Sequence, residues 1–124
     1  MIKIFPLHES EVLKQLNQNE KTNATLAYCM YEGEKMGAYL LYNIKDMQGE
    51  IVAINSNDIQ ITDGLIRATI SSLLDYQIDK AIFSSQLPME DIYKLELVKQ
   101  GEFSIPSIKN VLYNCKNCQK KTNN

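Results

Sequence analysis

Two cysteines near the carboxyl end of the sequence have the spacing of a metal-binding or redox pair. Cys115 and Cys118 are separated by two residues, and such a pair supplies half of the ligands of a tetrahedral zinc site. Cys29 and His8 are the only other soft ligands in the chain, so an intrachain zinc site would use all of them. Because the pair does not open the helix of a β-α-β unit, as a redox pair would, we predict no metal and reduced thiols.

His8 is the single histidine of the chain, and Arg67 is the single arginine. A catalytic histidine needs a second group that orients its ring. The sequence identifies no such partner, so we interpret His8 as an exposed or helix-capping side chain. Arg67 is the one side chain that could bind an anion through two parallel hydrogen bonds, but its position in the helical pattern described next directs it to solvent.

The elements that would position such side chains are clearest between residues 48 and 85. Residues 51–54 form a continuous apolar run, which is typical of a strand buried on both faces. From Leu65 onward, apolar pairs recur every four residues. This predicts an amphipathic helix over residues 62–78 with its N-cap at Thr62 or Asp63. With a second short strand over residues 81–83, the order predicts a β-α-β unit with parallel strands and with strand 51–54 in the centre of the sheet.

Shorter elements flank this unit. Before it, the pattern predicts a strand over residues 2–5, a helix over residues 11–18, a polar loop over residues 19–23, and an antiparallel hairpin of strands 25–31 and 36–42. After it, Pro88 and Gly101 delimit a third helix, residues 102–105 form a last strand, and residues 108–115 favour a short helix. We interpret the hairpin tyrosines as sheet packing with hydroxyl groups at the rim; they are Tyr28, Tyr31, Tyr39 and Tyr42.

Length and charge limit the classes of protein to which the chain can belong. Its 124 residues suffice for one domain, which we predict over residues 1–116, followed by a disordered tail over residues 117–124. A net charge of −2 gives little reason to expect nucleic acid as a partner. No apolar run approaches the length of a membrane span, and the first residues lead directly into a strand. We therefore expect a cytoplasmic protein.

The order and spacing of residues 24–103 resemble those of the GNAT-like acyl-CoA N-acyltransferases. The similarity begins at the hairpin Glu-Gly-Glu-Lys-Met-Gly-Ala-Tyr of residues 32–39 and continues through the buried strand, the amphipathic helix, the short strand and a helix before Gly101 and Phe103. The resemblance implies an α/β fold with a mixed sheet that splays open after its fourth strand. Acyl-CoA would lie in that opening, with its pyrophosphate at the amino end of the next helix.

The resemblance also implies where acetyl-CoA would bind. The strand edge that pairs with the pantetheine arm would be formed by Ala53, Ile54, Asn55 and Ser56, and the phosphate turn would include Asp63, Gly64 and Leu65. This turn departs from the family pattern, because it has one glycine displaced by a residue and an aspartate at the anion position. Since that carboxylate would repel a phosphate, we expect acetyl-CoA to bind weakly or not at all.

The sequence matches the catalytic groups that the resemblance implies less closely than it matches the acetyl-CoA site. Leu97 occupies the position of the family's usual tyrosine acid, and Tyr93, one turn earlier, is the nearest candidate. A general base could come from Glu50, or from a water molecule held by Asn55. Two hypotheses therefore stay open: an acetyl-CoA-dependent N-acyltransferase acting on a small-molecule or peptide amine, and a non-catalytic descendant of the fold that binds a ligand or a protein. The protein could form a homodimer.

Overall fold

The chain folds around one mixed sheet of six strands. The computed structural model describes residues 1–113. The strands are β1 (Ile2–Pro6), β2 (Leu26–Glu32), β3 (Lys35–Lys45), β4 (Gln48–Asn55), β5 (Ala81–Phe83) and β6 (Ser104–Ile105), and they lie in the sheet in that order. All neighbouring pairs are antiparallel except β4 and β5, which are parallel. The helices are α1 (Ser10–Glu20), α2 (Ile59–Asp75), α3 (Met89–Lys94) and α4 (Ile108–Tyr113).

The predicted β-α-β unit is confirmed as β4, α2 and β5, but the predicted N-cap is wrong. The helix begins one turn earlier, because Asp58 and not Asp63 is the N-cap: its Oδ1 accepts hydrogen bonds from the N–H groups of Gln60 (2.7 Å) and Ile61 (3.4 Å). Thr62 is already helical and buried. The helix also ends before the predicted residue 78, because Gln77 adopts a left-handed conformation with φ of 63°.

The third predicted helix is shorter than expected. It ends at Lys94, whereas the sequence pattern predicted an end just before Gly101. Glu96 adopts a left-handed conformation with a φ of 59°, which does not continue a right-handed helix, and among residue types Asn, Asp and Gly adopt it most readily. A glutamate gives no sequence signal for such a turn. The predicted strands, hairpin, first helix and short last helix are confirmed within residues 1–113.

Each face of the sheet carries its own apolar core. On one face, α2 packs with Leu65, Ile66, Ile70 and Leu73, together with side chains of α3 and α4. On the other face, α1 packs with Leu16. The central strands are thus covered on both sides, which explains why residues 51–54 form an unbroken apolar run. We refer to these surfaces as the α2 face and the α1 face.

A β-bulge interrupts β4. Tyr42 of β3 pairs with Ile51, and the preceding residue, Leu41, pairs with Ala53, so Val52 has no partner on β3. Ile51 packs on the α2 face, whereas Val52 and Ala53 both pack on the α1 face. An extra residue of this kind bends a strand and increases its twist. The direction of β4 therefore changes at Val52.

The limits of the described residues leave two predictions untested. The domain boundary at residue 116 and the tail over residues 117–124 lie outside residues 1–113. Within residues 1–113, no helix has the length and the apolar composition needed to cross a membrane.

Candidate functional site

The parallel strands β4 and β5 separate after three residue pairs. Gly49, Glu50 and Ile51 pair with β5, and the last hydrogen bond between these segments runs from the Ser84 N–H to the Ile51 carbonyl (2.9 Å). From residue 52 to Asn55, β4 pairs with β3 on one side, and no strand of residues 1–113 pairs with it on the other. The separation starts at the bulge, where β4 bends. This stretch is a strand edge inside the sheet, and such an edge can pair with an extended amide-containing ligand.

Three of the residues predicted to bind the pantetheine arm lie in this stretch. It pairs with β3 but not with β5, and we call it the unpaired stretch of β4. Ala53, Ile54 and Asn55 are its last three residues, and Ser56 follows directly. Ser56 Oγ donates to the Asp58 carbonyl (2.9 Å) and accepts from the Asp58 N–H (3.2 Å). The Ser56 side chain therefore shapes the turn that leads from β4 to α2.

The residues predicted to bind phosphate lie within α2 and not at its amino end. Asp63 pairs with Arg67 across one helical turn (2.9 Å), and Leu65 is fully buried. Gly64 faces β1, where an added Cβ would come within 2.8 Å of Ile4 Cδ1. Only the first N–H groups of a helix lack a partner within the helix. The donors that could bind an anion are thus those of residues 59–61, one turn before the predicted residues.

Asp58 already occupies that position. Its carboxylate accepts from two of the first N–H groups of α2, and its negative charge lies at the positive end of the helix dipole. We therefore still expect an aspartate to repel the phosphate, but that aspartate is Asp58 and not Asp63. The Asp63 charge is offset by Arg67, whose guanidinium lies on the exposed side of α2, as the helical pattern predicted.

Tyr93 lies in a cleft next to β6 and α4. Its hydroxyl group donates to the carbonyl of Glu102 (2.8 Å). It lines a cleft of about 840 Å³ with Arg67, residues 95–100 and residues of β6 and α4, and no residue of β4 lines this cleft. Within residues 1–113, the cavity that holds the candidate acid therefore excludes the strand edge predicted to hold the acyl donor.

Glu50, which the resemblance offers as a possible general base, lies in the middle of the sheet. It pairs with Asn43 on one side and with Ile82 on the other, and it is half-buried. Its position directly before the separation of β4 and β5 keeps it near the opening. Its role as a general base stays a prediction.

A polar cluster that the sequence did not indicate lies on the α1 face at the end of β4. The Tyr39 hydroxyl donates to Glu20 Oε2, and Asn55 Nδ2 contacts the same Oε2 (3.4 Å) and the Tyr39 Oη (3.3 Å). We call these three residues the Glu20 cluster. Burial, followed by the hydrogen bond and the charge of Glu20, raises the pKa of Tyr39 to about 12, although hydrogen bonds from Asn55 and Asn19 act in the opposite direction.

The Glu20 cluster joins three elements that are distant in sequence. Glu20 is the last residue of α1, Tyr39 lies within β3 and Asn55 ends β4. The sequence pattern placed Glu20 in a polar loop, whereas it is the last residue of α1 and accepts a hydrogen bond from Tyr39, which is only 8% exposed. The one available signal was a glutamate just after the residues predicted to form the first helix, and a glutamate in that position is ordinarily a solvated side chain.

The potential metal ligands are not brought together within residues 1–113. No group of three or more His, Cys, Asp or Glu side chains there is arranged to hold a metal ion. Cys29 is fully buried in β2, and His8 is exposed before α1. The predictions for Cys115 and Cys118 concern residues outside the described range.

Within residues 1–113, the sheet order, the single parallel pair and its separation after Ile51 define a mixed α/β domain. The fold is that of the GNAT-like acyl-CoA N-acyltransferases, as the sequence resemblance implied. It is similar to a putative acetyltransferase from Exiguobacterium sp. 255-15 (TM-score 0.59, 11% identity, 100% of this chain and 99% of that chain). It is also similar to an acetyltransferase of the GNAT family from Staphylococcus aureus Mu50 (TM-score 0.59, 9% identity, 88% and 100% of the chains).

A third similar structure is a complex with coenzyme A. The PaiA N-acetyltransferase from Thermoplasma acidophilum, in complex with coenzyme A, matches 84% of this chain and 96% of its own (TM-score 0.55, 7% identity). No protein-family model matches the sequence, and no curated protein matches it. At these identities the similarity establishes the fold alone.

Proposed function

We propose that the protein is an N-acyltransferase that binds the pantetheine arm of acetyl-CoA along the unpaired stretch of β4 and transfers the acyl group to an amine. The observation that carries this proposal is the continuation of β4 over residues 52–55 after its pairing with β5 ends. The backbone groups of this stretch can form strand-like hydrogen bonds with the amides of the arm. The coenzyme A bound to a protein of the same fold supports this choice of ligand.

Acetyl-CoA supplies the activated acyl group. The neutral amine nitrogen attacks the thioester carbon, the C–N bond forms, the C–S bond breaks, and the proton lost from nitrogen balances the charge on the released thiolate. The contribution of this chain is to hold the two reactants at a reactive distance, which is itself a large source of rate. Residues 53–55 would hold the thioester arm.

The phosphate end of the donor fits the chain less well. A pyrophosphate at the amino end of α2 would meet the carboxylate of Asp58, which already uses the N–H groups of Gln60 and Ile61. Two like charges about 5 Å apart, at an effective dielectric constant of about 20, repel by about 3 kcal/mol. This corresponds to about a hundredfold in affinity. We therefore expect weak binding of acetyl-CoA.

The same contact favours a second candidate function, namely a non-catalytic descendant of the fold that binds another ligand or a protein. If Asp58 prevents the phosphates from binding, the fold would keep the opening between β4 and β5 but would not bind acetyl-CoA there. Tyr93 lies in a cleft that no residue of β4 lines, and this placement agrees with the second candidate. The two candidates differ in whether acetyl-CoA binds at all.

Thermal denaturation with millimolar acetyl-CoA tests the proposal. A ligand at about 100 times its Kd stabilises a protein by about 2.7 kcal/mol, so even weak binding raises the melting temperature. Asp58→Asn removes the charge and keeps an equally good N-cap, and we expect it to increase affinity by up to about a hundredfold. Asp63→Asn is the matched control, because it removes a charge from the same helix that is already offset by Arg67.

Each result distinguishes the candidates. A shift in the wild type that increases in Asp58→Asn supports the acyltransferase. A shift in Asp58→Asn alone supports the non-catalytic descendant. No shift in either variant would refute binding along β4, and equal gains in Asp58→Asn and Asp63→Asn would refute the role assigned to Asp58.

A further inference from the structure

One long edge of the sheet has no partner within residues 1–113. β1 is the first strand in the sheet order, and β2 pairs with one side of it only. The N–H of Leu7 donates to the Ala27 carbonyl (2.9 Å) in the register of the β1 and β2 pairs. Backbone groups alternate in direction along an antiparallel strand, so those of residues 3 and 5 also point to β2. The backbone groups that point away from the sheet are those of Ile2, Ile4 and Pro6.

This edge also exposes large apolar side chains. Met1, Ile2 and Phe5 are three of the eight large apolar side chains that are exposed within residues 1–113, so the exposed apolar surface is concentrated at β1. An unpaired edge of this composition is a surface with which another strand can pair. The opposite edge offers less, because β6 has two residues and Pro106 follows it directly.

The outward backbone groups of β1 complement those of a second copy of the strand. In an antiparallel register with Ile4 opposite the partner's Ile4, these two residues exchange both backbone hydrogen bonds. The N–H of Ile2 then donates to the carbonyl of the partner's Pro6, and the symmetric bond forms on the other side of the two-fold axis. Pro6 has no N–H group, so the pairing stops there in both copies.

The side chains match in the same register. Phe5 packs against Tyr31 on the α1 face, and Lys3 lies on that face as well because side chains alternate along a strand. Lys3 is then opposite the partner's Phe5, where its apolar stem covers the exposed ring while the ammonium group stays in water. A register centred on Lys3 would instead place two lysines opposite each other, which is unfavourable. Lysine and proline usually protect strand edges, and here they select one register.

We propose that the protein forms a symmetric homodimer through β1, in which the two six-stranded sheets join into one continuous sheet. The inference does not depend on acyl transfer. Because β2 and β3 separate β1 from β4, the opening between β4 and β5 stays free in both copies. A single short edge buries less surface than a typical stable interface, so we expect reversible association at micromolar concentrations or above.

Sedimentation equilibrium of the whole protein, with no residues added before Met1, tests the dimer from micromolar to millimolar concentration. The average mass of the wild type should rise from that of one chain toward that of two. Phe5→Glu removes an exposed apolar side chain but places a carboxylate opposite the partner's Lys3, so we expect the Kd to stay unchanged or to fall, and any gain to be lost at high salt. Phe5→Glu combined with Lys3→Glu places carboxylates opposite each other and should raise the Kd by about tenfold.

Two further variants act as controls. Phe103→Glu removes a similarly exposed phenylalanine beside the other edge of the sheet and should leave the Kd unchanged. Ile2→Pro removes an outward N–H group without removing a hydrogen bond between β1 and β2, and it should raise the Kd by about tenfold. It is also the second test if the charged variants do not fold, which the melting temperature of each variant in dilute solution shows.

Each outcome decides the proposal. A wild type that remains a monomer at every concentration refutes the dimer. If Phe5→Glu and Phe103→Glu raise the Kd equally, association is unspecific apolar contact and the inference fails. If the double variant dimerises as tightly as Phe5→Glu, the register centred on Ile4 is wrong. Association that persists in Phe5→Glu and weakens in both the double variant and Ile2→Pro supports the dimer.

Discussion

Asp58 and Asp63 have the same side chain in the first two turns of α2, yet their environments give them different roles. Asp58 is the N-cap, and Asp63 is the partner of Arg67. The sequence contains both residues, and the N-cap rule admits either of them. Nothing in the local pattern shows which aspartate is the N-cap, because the polar residues before Ile59 resemble a loop. Asp58 is the N-cap because Ile61 and Thr62 already lie inside the helix, where Thr62 is buried and Ile61 packs against the core.

At the same scale, Tyr39 should make the protein sensitive to alkaline pH. Its pKa is raised to about 12, chiefly by burial and then by Glu20, so the folded state retains the proton at a pH where the unfolded chain, with a pKa near 10, has lost it. The stabilisation is therefore complete below about pH 10 and is lost as the pH rises toward about 12.

Urea denaturation at pH 8 and pH 11 measures this effect. We expect Tyr39→Phe to lose less free energy of unfolding between the two pH values than the wild type does. Tyr113→Phe, at a residue that is 65% exposed, should behave as the wild type. An equal loss in wild type and Tyr39→Phe would show that other buried groups, such as Cys29 and Tyr42, account for the alkaline sensitivity.

At the scale of elements, the contact between α2 and β4 is tight enough to be tested by two coupled substitutions. Leu73 is fully buried, and a Cβ added at Gly49 would come within 2.4 Å of its Cδ1. Leu73→Ala should cost about 2 to 5 kcal/mol of unfolding free energy. Gly49→Ala alone should also destabilise, because the new methyl group and Leu73 cannot both fit.

The double variant should be less destabilised than the sum of the two single variants, because the alanine at residue 49 partly fills the space that Leu73→Ala leaves. Urea denaturation of the four proteins gives the coupling free energy. Ile44→Ala, at an exposed residue of β3, is the control and should change the stability by about 0.5 kcal/mol at most. Strict additivity would contradict the contact between Gly49 and Leu73.

The β-α-β unit could be predicted because its elements carry strong local signals. Apolar pairs at helical spacing define α2, and a short apolar run defines β4. The end of α3 could not be predicted, since Glu96 adopts a left-handed conformation that its residue type does not indicate. The Glu20 cluster was equally hidden, because Glu20, Tyr39 and Asn55 meet only once the α1 face has formed. Local patterns thus locate elements, whereas clusters such as this one are created by contacts between elements that are distant in the sequence.

At the scale of the whole molecule, the fold should not depend on a metal ion. A site built on Cys115 and Cys118 would need Cys29 or His8 as further ligands. Cys29 is fully buried in β2, and burial, followed by the charge of Glu9, raises the pKa of its thiol to about 11, which disfavours the thiolate that binds zinc. A metal could reach it only if the sheet opened.

We therefore expect the melting temperature to be unchanged by excess EDTA. The double substitution of Cys115→Ser and Cys118→Ser should leave it unchanged as well. A marked decrease in both experiments would contradict the prediction, since the binding free energy of a structural zinc ion is part of the folding free energy.

The bulge at Val52 means that the bend in β4 depends on chain length and not on side-chain identity. Without Val52, Ile51 and Ala53 would be consecutive and would still pack on the α2 face and the α1 face, as they do now. The core would be preserved, but the bend in β4 would have no cause. Substitutions at residue 52 would therefore leave the bend in place, whereas deletion of this one residue would straighten β4 and redirect residues 53–55, the proposed contact with the pantetheine arm.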